Sequence, residues 1–259
     1  MQDNQYILGI DVGASGIKGG IVDLKKGELL AERIRLETPS PATPEAMAKT
    51  FSELVKLHNW KGPIGCGFPA IVKNGVAQSA ANISKDWIGK NVSKMLSKAC
   101  KLPVEVLNDA DAAGIAEMRF GLGKNEPGVV LLVTIGSGLG SALFLNGELI
   151  PNTEFGHLKL NGKPIEHYAS NNARKRDSLE WHEWGERFNE FLHYVNRIVN
   201  PDLILLGGGI SKKFEKYEEH IDVDIRVKPA KLLNAAGTVG AAMYAYEKLY
   251  PSLAAKARK

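Results

Sequence analysis

Apolar positions along the chain fall into short strand-like runs and longer segments with helical spacing. Residues 6–10 and 17–22 are strand-like runs separated by Asp11-Val12-Gly13-Ala14-Ser15-Gly16, which predicts a hairpin with a glycine-rich tip. The arrangement returns at residues 129–133 and 141–145, on either side of Thr134-Ile135-Gly136-Ser137-Gly138-Leu139-Gly140. Each copy closes on a similar phrase, Gly27-Glu28-Leu29-Leu30 in the first and Gly147-Glu148-Leu149-Ile150 in the second, so an internal duplication is the economical reading. Between the copies, helices are expected at 44–58, 92–99 and 110–119, and strands at 63–68 and 104–107. The polar stretch 151–177 predicts no regular element. After it, Trp184, Phe188, Phe191, Val195 and Ile198 recur at helical spacing and predict one buried helix face. A strand at 202–206 runs into Gly207-Gly208-Gly209, and an Ala-rich helix at 237–249 closes the chain. Strands alternating with helices predict an α/β protein. Two lobes are expected, 1–108 and 109–259, with the closing segment 237–259 able to pack back on the first. Duplicated lobes would set their equivalent loops on opposite sides of a cleft, where ligands bind.

Composition narrows the partners. The 33 Lys and Arg against 29 Asp and Glu leave a net charge of +4, which suits a small anionic ligand and falls short of a nucleic-acid-binding surface. Cys66 and Cys100 are the only cysteines and stand far apart, so neither a disulfide framework nor a Cys-clustered zinc site is expected. No apolar run approaches the roughly 20 residues of a membrane span, and the start of the chain lacks a basic region followed by an apolar core. A cytoplasmic protein with no membrane and no nucleic-acid partner is the expectation.

Three features carry chemistry. The loop at residues 11–16 has no side chain at Gly13 and Gly16, so its backbone N–H groups can approach a phosphate, with Ser15 and Lys18 as further donors. A plain turn would use the same glycines. Neither the Walker A nor the dinucleotide pattern is met, but two such loops and a third glycine run at 207–209 favour phosphate handling over three unrelated turns. Asn108-Asp109-Ala110-Asp111-Ala112 falls at a strand-to-helix junction, where Asp109 could take a proton from an attacking hydroxyl or one of the pair could cap the helix. In Glu154-Phe155-Gly156-His157 a carboxylate stands three residues from an imidazole, and a lone histidine is more often structural than functional.

On these residues the sequence resembles the ROK family of sugar kinases (repressor, open reading frame, kinase), within the superfamily of actin, hexokinase and the heat-shock chaperone ATPases. GIDVGASGIKGGIVD resembles the family's first phosphate loop, VTIGSGLGSAL the second, and LLGGGISKK the adenosine-side loop. The resemblance spans nearly the whole chain. It implies two actin-like (ribonuclease H-like) lobes with a cleft between them, and phosphoryl transfer to a hexose, with glucose favoured. It also implies that Asp11 holds Mg²⁺ through water. Gly13, Ser15, Gly16, Lys18, Thr134, Gly136, Ser137, Gly138 and Gly140 would meet the donor phosphates, and Gly207, Gly208 and Gly209 the nucleotide. Asp109 would be the base and Asn108 its neighbour on the sugar. Glu154 and His157 would bind sugar hydroxyls, as would Asn82 in AANISKDW, a segment that also holds Trp87 and lies after a matching Gly67-Phe68-Pro69 turn.

Most of the family carries a Cys-rich zinc loop after the His, and that loop is absent here. The stretch from Pro164 to Asp177 resembles instead the zinc-free branch that contains the polyphosphate glucokinases, so no zinc is expected and Glu166 becomes the second sugar carboxylate. On the same ground the donor would be polyphosphate, ATP or both, and the protein a homodimer. Arg174-Lys175-Arg176 could serve a polyanionic donor or be a solvated charged face. Two other classes compete. A sugar-sensing repressor of the family carries a helix-turn-helix domain ahead of the kinase-like part, and the first phosphate loop here begins at Gly9. An actin-like structural ATPase would share the phosphate loops but not Asn108-Asp109 or Glu154-x-x-His157. A kinase for another hexose, or a non-catalytic sugar-binding member, is the alternative within the family.

Overall fold

The computed structural model describes residues 5–257, with side chains as far as 254. The outermost ends of the expected lobes, residues 1–4 and 258–259, lie outside the described residues. In chain order the elements are β1 (Tyr6–Val12), β2 (Ile17–Asp23), β3 (Glu28–Leu29), β4 (Ile34–Leu36), α1 (Pro44–Leu57), β5 (Ile64–Phe68), β6 (Val72–Lys73), β7 (Val76–Ala77), α2 (Val92–Cys100), β8 (Val104–Asn108) and α3 (Asp109–Phe120). They continue with β9 (Val129–Ile135), β10 (Leu139–Leu145), β11 (Glu148–Ile150), β12 (Lys159–Leu160), β13 (Lys163–Pro164), α4 (Glu166–Ala169), α5 (Asn171–Arg176), α6 (Trp181–Val199), β14 (Leu203–Gly207), β15 (Arg226–Pro229), α7 (Ala236–Leu249) and α8 (Pro251–Ala257). The chain forms two compact units, one of residues up to 120 together with those from 235 onward, the other of residues 121–234. Helix α3 therefore belongs to the first unit rather than opening the second, because it packs on the returning helix α7.

The first unit is built on a sheet ordered β3-β2-β1-β5-β8, with β4 against β2. The second has the order β11-β10-β9-β14-β15. In both, an antiparallel hairpin with a glycine tip is extended on one side by a short antiparallel strand and on the other by strands parallel to the hairpin's first strand. The two sheets thus repeat one pattern, as the repeated sequence phrases predict. Strands β1, β5 and β8 all end on one edge of the first sheet, and β9 and β14 on one edge of the second. The carboxyl ends of parallel strands are where α/β sheets bind ligands.

Why α7 can lie so close to the first sheet is written in its small residues. A Cβ at Gly65 on β5 would run into the Ala241 carbonyl, and one at Gly240 on α7 would run into the Ala112 carbonyl of α3. Only glycine permits both approaches. Elsewhere the unit is filled by large residues, with Met47, Phe51 and Leu54 of α1 turned inward from a helix that Thr43 caps and Pro44 starts. Trp87 is fully buried beside Phe68, ring centroids 4.9 Å apart, and its indole N–H donates to the Ala42 carbonyl at 3.2 Å. It is a core residue.

In the second unit α6 turns Trp184, Phe188, Phe191 and Val195 inward, whereas Ile198, expected on the same stripe, is 56% exposed. It lies in the last turn, just before Asn200 ends the helix in the left-handed conformation. The stretch 151–177 is not structureless: it holds β12, β13, α4 and α5. Each is too short to show a hydrophobic period. Beneath α6, Tyr217 is wholly buried against Trp184 at 4.8 Å and Phe214 at 5.5 Å. Its hydroxyl finds no hydrogen-bond partner among the described residues, and burial pushes the phenol well above its ordinary pKa. An orphaned buried hydroxyl costs about 1–3 kcal/mol. Tyr217→Phe, which keeps the ring, is expected to raise stability by about 1 kcal/mol. Chemical denaturation checks this, and a loss of stability would reveal a missed partner.

Candidate active site

In the first unit the chemistry collects at the carboxyl ends of β1 and β8. Asp11 and Lys18 face each other across the β1–β2 hairpin, carboxylate to ammonium 3.9 Å. Burial raises the Asp11 carboxyl above the ordinary aspartate range, and the positive charges of Lys18 and Arg33 oppose that rise. A Cβ at Gly237 would sit 2.9–3.2 Å from the Asp11 carboxylate, so glycine there leaves the carboxylate room. The loop tip is fixed by the Gly13 N–H donating to the Gly16 carbonyl at 3.0 Å, by Thr38 Oγ1 donating to the Gly13 carbonyl at 2.6 Å, and by Arg35 donating to the Ser15 carbonyl at 2.7 Å.

Two strands away, β8 delivers Asn108 and α3 begins with Asp109. The buried Asn108 side chain accepts from the backbone N–H groups of Ala110 at 2.9 Å and Asp111 at 3.0 Å, and donates to the Ala70 carbonyl at 3.2 Å. Asn108 is thus the helix cap. Asp109 Oδ1 accepts from the Ala110 N–H at 2.9 Å, and its backbone rests above Gly67 of β5. Asp11 pairs with Gly67 in the sheet register, and Gly67 with Leu107. With strands about 4.8 Å apart, Asp11 and the start of α3 are separated by roughly 10 Å. Asn82 lies exposed on the loop between β7 and α2.

In the second unit Glu154, His157 and Glu166 come together. His157 Nδ1 faces Glu154 Oε2 at 3.5 Å, and Nε2 faces Glu166 Oε1 at 3.6 Å. One imidazole therefore lies between two carboxylates. The turn carrying Glu154 is laced to β10, with Ser141 Oγ donating to the Thr153 carbonyl at 2.8 Å and accepting from the Phe155 N–H at 3.0 Å. A Cβ at Gly156 would strike the Leu139 carbonyl, so that turn sits directly on the second glycine loop. Glu166 reaches the same residue from α4: its Oε2 accepts from the Leu139 N–H at 3.1 Å. These ties to Ser141 and Leu139 left no periodic trace in the sequence.

The second loop closes through the Gly136 N–H donating to the Gly138 carbonyl at 3.0 Å. Thr134 pairs with Gly140 across the hairpin and with Gly207 of β14, which brings the third glycine run alongside. Gly208, at φ +81°, lies against the Ile135 backbone, where a Cβ would collide, and its carbonyl accepts from Ser211 Oγ at 2.7 Å. The basic run is largely engaged in its own segment. Arg174 stacks on Trp181 at 4.1 Å and donates to the Leu179 carbonyl, while Arg176 pairs with Asp177 at 2.7 Å.

A model of the ROK family matches residues 7–177. The chain belongs to the ROK family. It is 48% identical over 237 residues to the polyphosphate glucokinase of Mycobacterium tuberculosis, covering 91% of this chain and 89% of that one. Among solved structures it is similar to the inorganic polyphosphate/ATP-glucomannokinase from Arthrobacter sp. strain KM, with a TM-score of 0.91 and 43% identity over 94% of this chain and 99% of that one. A ROK family glucokinase from Streptomyces griseus, in complex with glucose and AMPPNP, shares the fold with a TM-score of 0.79 at 23% identity, covering 93% and 99% of the two chains. The fold is the actin-like, ribonuclease H-like one of these ROK kinases.

Burial raises the Glu154 carboxyl above its ordinary range, with Glu166 adding to the rise and His157 opposing it. A carboxyl whose folded pKa is raised supports folding below the unfolded value, and that support is lost as pH rises through the folded value. Where Glu154 is ionised in the folded chain it therefore weakens the ligand-free ROK protein. Glu154→Gln is expected to raise the melting temperature at pH 7 and to leave it nearly unchanged at pH 4. A fall at pH 7, seen by calorimetry, would contradict this.

Among the described residues no group of three or more His, Cys, Asp and Glu side chains is placed to hold a metal ion. Asp11, a single hard carboxylate that a side chain at position 237 would crowd, would suit a cation that keeps its water shell and takes its other ligands from phosphates. No described helix is long and apolar enough to cross a membrane.

Proposed function

We propose that this ROK protein is a glucokinase that moves a phosphoryl group from polyphosphate, ATP or both to the 6-hydroxyl of glucose. The observation that carries the reading is the Glu154–His157–Glu166 set seated on the second glycine loop, with 48% identity to a polyphosphate glucokinase behind it. Each sugar hydroxyl both donates and accepts, and two carboxylates bridged by one imidazole offer acceptors and a tautomer-adjustable ring. Asn82 and Asn108 supply further polar contacts to the sugar. Asp109 takes the proton of the 6-hydroxyl as that oxygen attacks the terminal phosphorus. The bond to the leaving oxygen breaks, leaving polyphosphate one unit shorter or ADP.

The backbone N–H groups around Gly13 to Gly16 and Gly136 to Gly140, with Ser15, Lys18, Thr134 and Ser137, hold the charge that spreads over the transferring phosphoryl oxygens. Gly207 to Gly209 take the remainder of the donor. Asp11 would hold Mg²⁺ through the ion's water, and the cation, when bound, neutralises charge on the donor phosphates. The two compact units are the lobes of the kinase, which acts in the cytoplasm as a homodimer without zinc. The name of the Arthrobacter relative favours mannose as a second acceptor.

A panel of hexoses tests the reading. Glucose is expected to be the best acceptor, and allose to fall about ten- to a hundredfold behind, because an epimer leaves without a partner a polar group that the bound sugar shuts off from water. Activity should need Mg²⁺ and survive a zinc-selective chelator. Equal rates on glucose, mannose and allose would sink the sugar assignment, and activity restored by zinc alone would sink the metal assignment.

A further inference from the structure

Leu139 is the point where the acceptor groups and the donor loop meet. Its N–H donates to Glu166 Oε2 at 3.1 Å, and its carbonyl is covered by Gly156, the residue between Phe155 and His157. The adjoining Gly138 has no room for a side chain, since a Cβ there would land on the same Glu166 oxygen. Glu166 is itself held from behind. Its α4 helix is pinned by the buried Trp184, whose indole N–H donates to the Ala169 carbonyl at 3.0 Å and to the Ser170 carbonyl at 3.3 Å. The other Glu166 oxygen faces His157 at 3.6 Å. One carboxylate therefore touches the acceptor group with one oxygen and the phosphate loop with the other.

We propose that Glu166 is a positioning residue that couples the two substrates through the Gly138–Leu139 peptide. A sugar hydroxyl donating to Glu166 fixes the carboxylate, the carboxylate fixes the Leu139 N–H, and the loop is then ordered before the donor arrives. The effect is reciprocal, because each substrate removes disorder that the other would have to remove. This rests on the glucokinase reading above and adds what that reading leaves open, a synergy located in one side chain.

The test uses ligands that cannot react: 6-deoxyglucose, which lacks the accepting hydroxyl, and tripolyphosphate or AMPPNP as donor probes, with the full chain in a calorimeter. Saturating donor probe is expected to tighten 6-deoxyglucose binding about fivefold or more, and saturating 6-deoxyglucose to tighten donor binding by the same factor. Gly138→Ala and Glu166→Gln should each bring that factor close to one, and Gly138→Ala should weaken 6-deoxyglucose even with no donor present. In a Glu166→Ala background, Gly138→Ala should do nothing further, because the oxygen it displaces is gone. A residue of merely structural importance would weaken both ligands and leave the factor intact. Independent binding in the wild-type chain, or a factor unchanged in both single variants, overturns the proposal. Failure of the glucose reading registers separately, as no binding of 6-deoxyglucose to the wild-type chain, and takes this proposal with it.

Discussion

Asp109→Asn is expected to lower turnover by about 10²–10⁴-fold at saturating glucose and donor, the range a positioned general base contributes. Stability and sugar affinity should hardly move. The helix-capping work that could otherwise explain an acid at this junction is done by Asn108, whose side-chain oxygen accepts from both Ala110 and Asp111. Asp109 bonds to the N–H of Ala110 through an oxygen that asparagine retains. What the substitution removes is basicity. A cap role would leave turnover nearly intact, since Asn and Asp cap about equally well. Retention of more than about a tenth of wild-type turnover would remove Asp109 from the role of base.

The second large effect is on the fold. Gly65→Ala is expected to destabilise the protein by about 3 kcal/mol or more, at or beyond the usual range for an overfilled core, because the added methyl meets a backbone carbonyl and not a side chain that can turn aside. The colliding atom belongs to Ala241, so trimming that residue to glycine should give no rescue. Denaturant unfolding of the single and double variants reads this directly. A single variant within about 0.5 kcal/mol of wild type, the scatter of surface changes, would show that α7 lies less tightly on β5 than described.

Much of this was legible in the sequence because it rests on short-range signals. The hairpins at 6–23 and 129–145 combine apolar runs with glycine tips, and the repeated Gly-Glu-Leu phrases mark the third strand of each sheet. Glu154, His157 and Glu166 are drawn together by elements that no periodicity announces, since α4 has only four residues. Their grouping came from resemblance alone. Helix α3 was expected in the second lobe because nothing local says that it packs on α7, more than a hundred residues later in the chain. Trp87 sits in a segment that resembles the family's sugar pocket, yet its indole is spent on Ala42 and Phe68. At the Asn108-Asp109 junction the helix cap falls on Asn108, the residue beside the acid.

The most direct test of the whole account follows phosphorus through the reaction. Purified protein, glucose and Mg²⁺ are mixed with long-chain polyphosphate in one sample and ATP in another, and both are followed by ³¹P NMR. The account predicts a glucose 6-phosphate resonance growing in at least one sample, matched by loss of terminal polyphosphate or by appearance of ADP, and none with the Asp109→Asn chain over the same interval. Consumption of donor to orthophosphate without sugar phosphate, or no reaction with either donor, would contradict it.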